Sequence, residues 1–176
     1  MGFYLGIDLG TSYFKAGIFD EQGNLAGLGR CYVNKQTDDG EICELPIADF
    51  WVTLLKSINQ AIEKAEINPN ELIAVSYSSQ ANSFVLLDET DNPLTPLILW
   101  PDKRAGRVPS ALQSILEKRD FLKKTGLGIS PGLQSMAAKI VWFQENKPEI
   151  WEKLNSIASV SDYLTFSLTG QKVSDF

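Results

Sequence analysis

Three short apolar runs fall within the first 33 residues, separated by turns that carry glycine, and this spacing leaves few folds open. Residues 4–7 stop at Asp8-Leu9-Gly10-Thr11-Ser12, residues 14–19 stop at Asp20-Glu21-Gln22-Gly23-Asn24, and residues 25–33 follow at once. Strands joined this closely read as an antiparallel meander. Residues 34–48 are polar and turn-rich, the composition of a surface loop. Asp49 suits the N-cap of a helix reaching about Glu66, with Trp51, Leu54, Leu55, Ile58, Ile62 and Ala65 on one face, and Asn68-Pro69 ends it. Residues 72–77 have enough apolar side chains for a strand buried on both faces, and residues 84–87 and 97–100 read as two more strands. Three strands, a helix and a strand open a layered α/β domain with a mixed sheet.

Helical patterns dominate the rest. Residues 104–118 place Val108, Leu112 and Ile115 inward with Pro109 in the first turn. Residues 120–125 form a short helix before Gly126, and residues 135–146 align Met136, Ile140 and Phe143. Residues 148–154 start on a proline at the favoured N1 position, and residues 162–168 end at Gly170. With 176 residues the chain suits about one domain and can bury a core without staples.

Composition removes several function classes. A formal charge of −6 argues against a nucleic-acid binder held by a basic surface. The absence of histidine removes the commonest general base, the commonest zinc ligand and the Ser-His-Asp arrangement. Cys31 and Cys43 form no CxxC and read as a reduced pair. Charges or turn residues interrupt every apolar run, so no segment suits a membrane span. The N-terminus lacks a basic region before Asp8 and has Gly6 where a myristoylation signal needs Ser or Thr. The chain reads as cytoplasmic.

Three clusters have the residue types for chemistry. In Gly6-Ile7-Asp8-Leu9-Gly10-Thr11-Ser12, with Lys15 beyond, an apolar strand delivers a carboxylate to a glycine turn. Gly10 permits unusual φ values and close backbone approach, and successive N–H groups in such a turn make a nest for an anion. Thr11 and Ser12 add hydroxyl donors and Lys15 a point charge. Asp8 has the wrong sign for a phosphate and suits a divalent cation bridging to one. An ordinary hairpin turn satisfied by Asp8 and Thr11 fits the same residues. The second cluster, Ser78-Ser79-Gln80-Ala81-Asn82-Ser83, follows a strand where α/β ligands gather, and its amides and hydroxyls suit a polyhydroxylated ligand or a capped turn. In the third, Trp100-Pro101-Asp102-Lys103-Arg104, a ring and two charged groups suit a sugar or a helix cap at a core edge. No GxxxxGK[ST] occurs. Gly126-Leu127-Gly128-Ile129-Ser130-Pro131 has proline where a dinucleotide-binding fingerprint needs its third glycine.

Taken in order, these blocks resemble the FGGY carbohydrate kinases of the actin, Hsp70 and sugar-kinase superfamily. The resemblance runs from Gly6–Ser12, Lys15, Phe19-Asp20 and Gly23 through Ser79-Gln80-Ala81-Asn82 and Ile98–Arg104. It continues with Lys139-Ile140-Val141-Trp142, Glu145-Asn146 and Pro148-Glu149-Ile150, and ends with Asp162-Tyr163-Leu164, Leu168-Thr169-Gly170 and Ser174-Asp175. The nearest flavour is xylulokinase-like. Xylulokinases typically carry Gln-Met-His-Gly where this chain has Gln80-Ala81-Asn82-Ser83, and glycerol kinases carry Arg-Glu at Ala81-Asn82. Residues 132–136 also depart from the family signature. The family implies a ribonuclease-H-like α/β lobe, with a mixed sheet flanked by helices, spanning residues 1–176 as a single N-terminal lobe. It implies ATP and Mg²⁺ as cofactors, with Asp8 as the metal residue and Asp8, Gly10, Thr11, Ser12 and Lys15 along the phosphate path. Gln80, Ala81, Asn82, Trp100, Asp102 and Arg104 would shape a pocket for a sugar or polyol. The reaction would move the γ-phosphoryl group of ATP to a sugar hydroxyl, with the catalytic aspartate in a second, C-terminal lobe beyond Phe176. The chain by itself is therefore expected to be inactive. A homodimer of the full-length protein is a further expectation, with no nucleic-acid or membrane partner. Two other readings stay open: a stand-alone sugar- or nucleotide-binding module, and a scaffold of the Hsp70 or actin sort, against which the Gln80 and Trp100 blocks weigh.

Overall fold

A computed structural model describes residues 2–38, 40–116, 120, 123–124 and 135–174. The chain divides into two compact units, Met1–Lys35 with Leu45–Gln80, and Gln36–Glu44 with Ala81–Phe176.

In the first unit the meander forms as its spacing predicts. Strands β1 (Phe3–Leu9), β2 (Tyr13–Phe19) and β3 (Leu25–Tyr32) pair antiparallel in sequence order. Strand β6 (Leu72–Ser79) joins β1 in parallel, giving a mixed four-stranded sheet of order β3-β2-β1-β6. One face carries Leu5, Ile7, Leu9, Phe14, Ala16 and Ile18, all buried, because alternate residues of a strand point the same way. Helix α1 (Ile47–Ala65) covers that face, with the Phe50 ring meeting Phe14 edge-on at 5.4 Å.

Two details of α1 differ from the sequence pattern. The helix starts at Ile47, directly after Pro46, and no side chain caps it. Proline's fixed φ starts the turn, and Asp49 falls inside the first turn, where it favours the helix dipole. The buried stripe is Phe50, Thr53, Leu54, Ser57 and Ala61, while Leu55 is exposed. The cause lies on β3. A Cβ at Gly29 would fall 1.8 Å from the Ser57 carbonyl oxygen, and one at Gly27 2.2 Å from that of Ala61. The helix backbone lies on the sheet, so small residues face it and the larger ones rotate to the flanks. Strand β6 also differs: as the edge of this sheet it leaves Ile73 60% and Val75 48% exposed, instead of being buried on both faces.

The second unit contains a five-stranded sheet of order β4-β5-β8-β7-β9, apart from the last residue of β5. Its strands are β4 (Gln36–Thr37), β5 (Cys43–Leu45), β7 (Phe84–Leu87), β8 (Leu97–Ile98) and β9 (Ser156–Ser159). Strands β4 and β5 occupy the stretch expected to be a loop, and β9 lies where the pattern indicates no strand. All three are short and are defined by their partners, β9 pairing along the whole of β7. Helix α3 (Met136–Asn146), capped by Ser135, packs Phe143 against Phe84, Leu86 and Ile98, with Met136 and Ile140 beside it. Helices α4 (Pro148–Trp151) and α5 (Val160–Thr169) follow, the latter opened by a Ser159/Asp162 capping box and closed by Gly170 in the left-handed region. Helix α2 (Ser110–Leu116) begins after Pro109 instead of at Arg104, since Arg104 is held elsewhere. The Gly126–Pro131 stretch, residues 121, 122 and 125 of the short helix expected at 120–125, Gly132 and Asp175 lie outside the described residues. Cys31 and Cys43 are buried thiols that are not joined in a disulfide. No helix among the described residues is long and apolar enough to cross a membrane.

Candidate functional site

In the first unit the glycine turn sits at the carboxyl ends of β1 and β6, where Asp8 stands opposite Ser78 and Leu9 opposite Ser79. Such strand ends are the ligand side of parallel sheets. The antiparallel register places Asp8 against Lys15, and their side chains form an ion pair at 2.9 Å, each about half exposed. Gly10 does not adopt a left-handed φ. Its need for glycine is steric, because a Cβ there would come 2.9 Å from the Tyr13 carbonyl oxygen. The Ser12 carbonyl accepts from the Val33 amide at 3.0 Å. Gln80 is drawn onto the same turn. Its amide N–H donates to the Leu9 carbonyl at 3.0 Å, and its side-chain Oε1 accepts from Thr11 Oγ1 at 3.0 Å. Residues from the phosphate-type cluster and the amide-type cluster therefore share one hydrogen-bonded site. Beside it Gly6, Gly17, Ser76 and Ser78 line an open trough of about 410 Å³ that reaches Asp8 and Lys15.

The donor set limits the metal. Among the described residues no three metal-ligating side chains cluster. One exposed carboxylate suits a cation that keeps its waters and takes phosphate oxygens, as Mg²⁺ does, and does not suit an all-protein cage.

In the second unit Ala81 and Asn82 are exposed, and Asn82 has φ +58°, a left-handed conformation that asparagine tolerates better than most residues. Ser83 is buried, and its Oγ accepts from the Trp100 amide at 2.8 Å. Trp100 is 38% exposed. Asp102 is wholly enclosed, and both its oxygens are engaged. Oδ2 accepts from the Cys43 amide at 2.8 Å and from an Arg104 terminal nitrogen at 2.7 Å, and Oδ1 accepts from Arg104 Nε at 2.9 Å. The Arg104 side chain is 7% exposed, reaches Glu44 at 2.6 Å, and stands 5.1 Å from the Phe143 ring and 5.4 Å from that of Trp142. Burial opposes its charge, but the Asp102 and Glu44 carboxylates outweigh that and hold the guanidinium above its ordinary pKa. Asp102 thus acts by holding Arg104 and β5, whereas Asn82 and Trp100 stay exposed.

Two contributors carry no motif of their own. Glu44 and Cys43 lie in the stretch that reads as a loop, and nothing in their spacing marks them. Lys139 is buried with no exposure, and its ammonium donates to the carbonyls of Leu99 at 3.0 Å, Asn82 at 3.3 Å and Trp100 at 3.3 Å. Burial pulls its pKa down to about 8, with Asp102 resisting and Arg104 adding to the fall. A signal for Lys139 exists in the sequence: it lies between Met136, Ile140 and Phe143 in an apolar stripe, where a lysine needs a buried acceptor.

A family model, the FGGY family of carbohydrate kinases, N-terminal domain, matches residues 3–176. Among curated proteins the chain is 33% identical to a xylulose kinase of Lactococcus lactis over 178 residues, covering 100% of this chain and 34% of that protein. It is 27% identical to a glycerol kinase of Thermococcus kodakarensis, covering 99% of this chain and 35% of the relative. Among solved structures, one described as a xyloylose kinase from Brucella ovis superposes with a TM-score of 0.79 at 28% identity, covering 96% of this chain and 34% of that one. The chain spans about a third of the length of the relatives it matches.

Proposed function

This chain belongs to the FGGY family of carbohydrate kinases, as its N-terminal domain, and on that premise we propose that it supplies the sugar-binding half of an ATP-dependent phosphoryl transfer to a sugar or polyol hydroxyl. The observation that carries the reading is the Thr11–Gln80 hydrogen bond. It puts an amide able to hold a hydroxyl beside a glycine turn, an ion-paired carboxylate and a lysine. Phosphoryl transfer needs that arrangement: acceptor and phosphate brought into line, and charge neutralised. Asp8 would hold Mg²⁺ through water, which would neutralise phosphate charge. Gly10, Thr11, Ser12 and Lys15 would border the phosphates. Gln80, Asn82 and Trp100 would contact the sugar, with Asp102 and Arg104 keeping that surface in place and Ala81 leaving room beside it.

No carboxylate stands beside Gln80 or Asn82 as a free base within either unit's described contacts, and Asp8 and Asp102 are both engaged. The base would come from the rest of the longer protein, which we place in the cytoplasm as a homodimer. We therefore expect the 176-residue chain to bind sugar weakly and to transfer no phosphoryl group. Titration calorimetry with D-xylulose and glycerol, and an ADP-release assay with ATP and Mg²⁺, test this. One of the two ligands should bind, at least about tenfold more weakly in Trp100→Ala, in keeping with a ring that supplies ~1.5 kcal/mol of contact. Equal binding by both proteins would remove Trp100 from the pocket. Turnover above contaminant level would overturn the division of labour.

A further inference from the structure

Of the charged side chains among the described residues, Asp102 and Lys139 have no solvent exposure. Asp102 has a charged partner in contact. Lys139 has no carboxylate within ion-pair distance among the described residues, and its contacts are the three carbonyls. Burying an ammonium costs several kcal/mol, and a methionine would fill the same space in the stripe of α3 without that penalty. The charge must therefore serve direction and not packing. All three carbonyls belong to the two segments that present the ligand surface: Asn82 on one, Leu99 and Trp100 on the other. The left-handed turn at Asn82, strained for a residue with a Cβ, directs its carbonyl to the ammonium. The Ser83–Trp100 hydrogen bond ties the same two segments a second time.

We propose that Lys139 is a positioning residue of the sugar pocket, its ammonium clamping the Asn82 turn to the end of β8 and so fixing the Asn82 amide and the Trp100 indole relative to one another. Its bearing on sugar binding rests on the function proposed above; the clamp itself does not. Loss of the proton leaves two donors for three carbonyls, so the clamp loosens as pH rises. The groups that bear on the ammonium are Asp102 and Arg104, from the segment after β8, and Cys43 on β5. The chain has no histidine to titrate nearby.

Carbon-13 carbonyl shifts test the clamp on the intact chain between pH 6 and 9.5. Those of Asn82, Leu99 and Trp100 should move together with one midpoint near 8. The transition should vanish in Lys139→Met and persist in Cys43→Ser, which separates the ammonium from the thiol. Sugar affinity, read with D-xylulose and glycerol, should fall at least about tenfold in Lys139→Met at pH 7. It should decline through the same midpoint in the wild type and become independent of pH in the variant. A purely structural lysine would change the unfolding midpoint without coupling affinity to pH. Flat carbonyl shifts in the wild type overturn the clamp even if the variant fails to fold. Titrating carbonyls with pH-independent affinity overturn the positioning role. If the wild type binds neither sugar, the proposed function falls, and the carbonyl titration alone upholds or overturns the clamp.

Discussion

Asp102→Ala is expected to destabilise the second unit by about 3–5 kcal/mol, the range for breaking a buried ion pair from one side. The carboxylate has no solvent exposure, and the Arg104 side chain is 7% exposed. Without Asp102 the guanidinium keeps Glu44 but loses two charge-assisted bonds, and the Cys43 amide loses its acceptor. The guanidinium stands 5.1 Å from the Phe143 ring and 5.4 Å from that of Trp142, so it cannot turn to water without opening that packing. Against a total stability of about 5–15 kcal/mol, such a loss is a large part of what holds this unit. Urea unfolding followed by tryptophan fluorescence measures it. Asp102→Asn keeps the shape and a carbonyl acceptor and should lose roughly half as much, attributing the remainder to charge. A loss below about 1 kcal/mol in Asp102→Ala would mean that Arg104 finds water, and would remove this cluster as the anchor of the Trp100 segment.

The second large effect lies in the first unit. Gly29→Ala is expected to cost about 3 kcal/mol, the upper end for overpacking. The added carbon would stand 1.8 Å from the Ser57 carbonyl oxygen and 3.0 Å from the Ala61 nitrogen. Both are helix backbone atoms, so no rotamer change relieves the clash. Helix α1 must lift from β3, and Phe50 and Leu54, buried beneath it, lose contact with the sheet. For a chain of this size the melting temperature should fall by roughly 6–12 °C. Gly23→Ala is the control. Its φ of +82° makes alanine strained, yet nothing lies within 4 Å of the added carbon, so about 1 kcal/mol is expected. Equal shifts for the two variants would mean that the helix yields easily and that the close approach is not what orders this face.

The meander and the mixed sheet were legible because they rest on local signals, period-two alternation and glycine turns within a few residues of each strand. The β4–β5 stretch was not. Two and three residues of strand carry no periodicity; β5 is held by the Leu99 amide donating to the Cys43 carbonyl across 56 positions of sequence, and β4 by pairing with β5. The α1 stripe misled because hydrophobic spacing ranks Leu55 and Ile58 above Ser57, while the glycines opposite reward the smaller side chain. Of the candidate site, Asp8, Thr11, Gln80 and Trp100 could be named from residue type and place. The tie between Thr11 and Gln80, and the enclosure of Asp102, depend on long-range geometry that composition does not encode. Lys139 was visible as a charge in an apolar stripe, but its three carbonyl partners were not.

The discontinuity of the second unit has a consequence in time. Residues 36–44 belong with residues 81–176, yet they precede the second half of the first unit in the chain. The Cys43 amide and the Asp102 carboxylate it meets are 59 positions apart. At a synthesis rate of about 5–20 residues per second, β5 would emerge from the ribosome roughly 3–12 s before its buried acceptor. Helix α1 and β6 can assemble with the meander during that interval. The hairpin of β4 and β5 must wait as an unpaired edge, which makes it the segment most open to capture by a chaperone on the nascent chain.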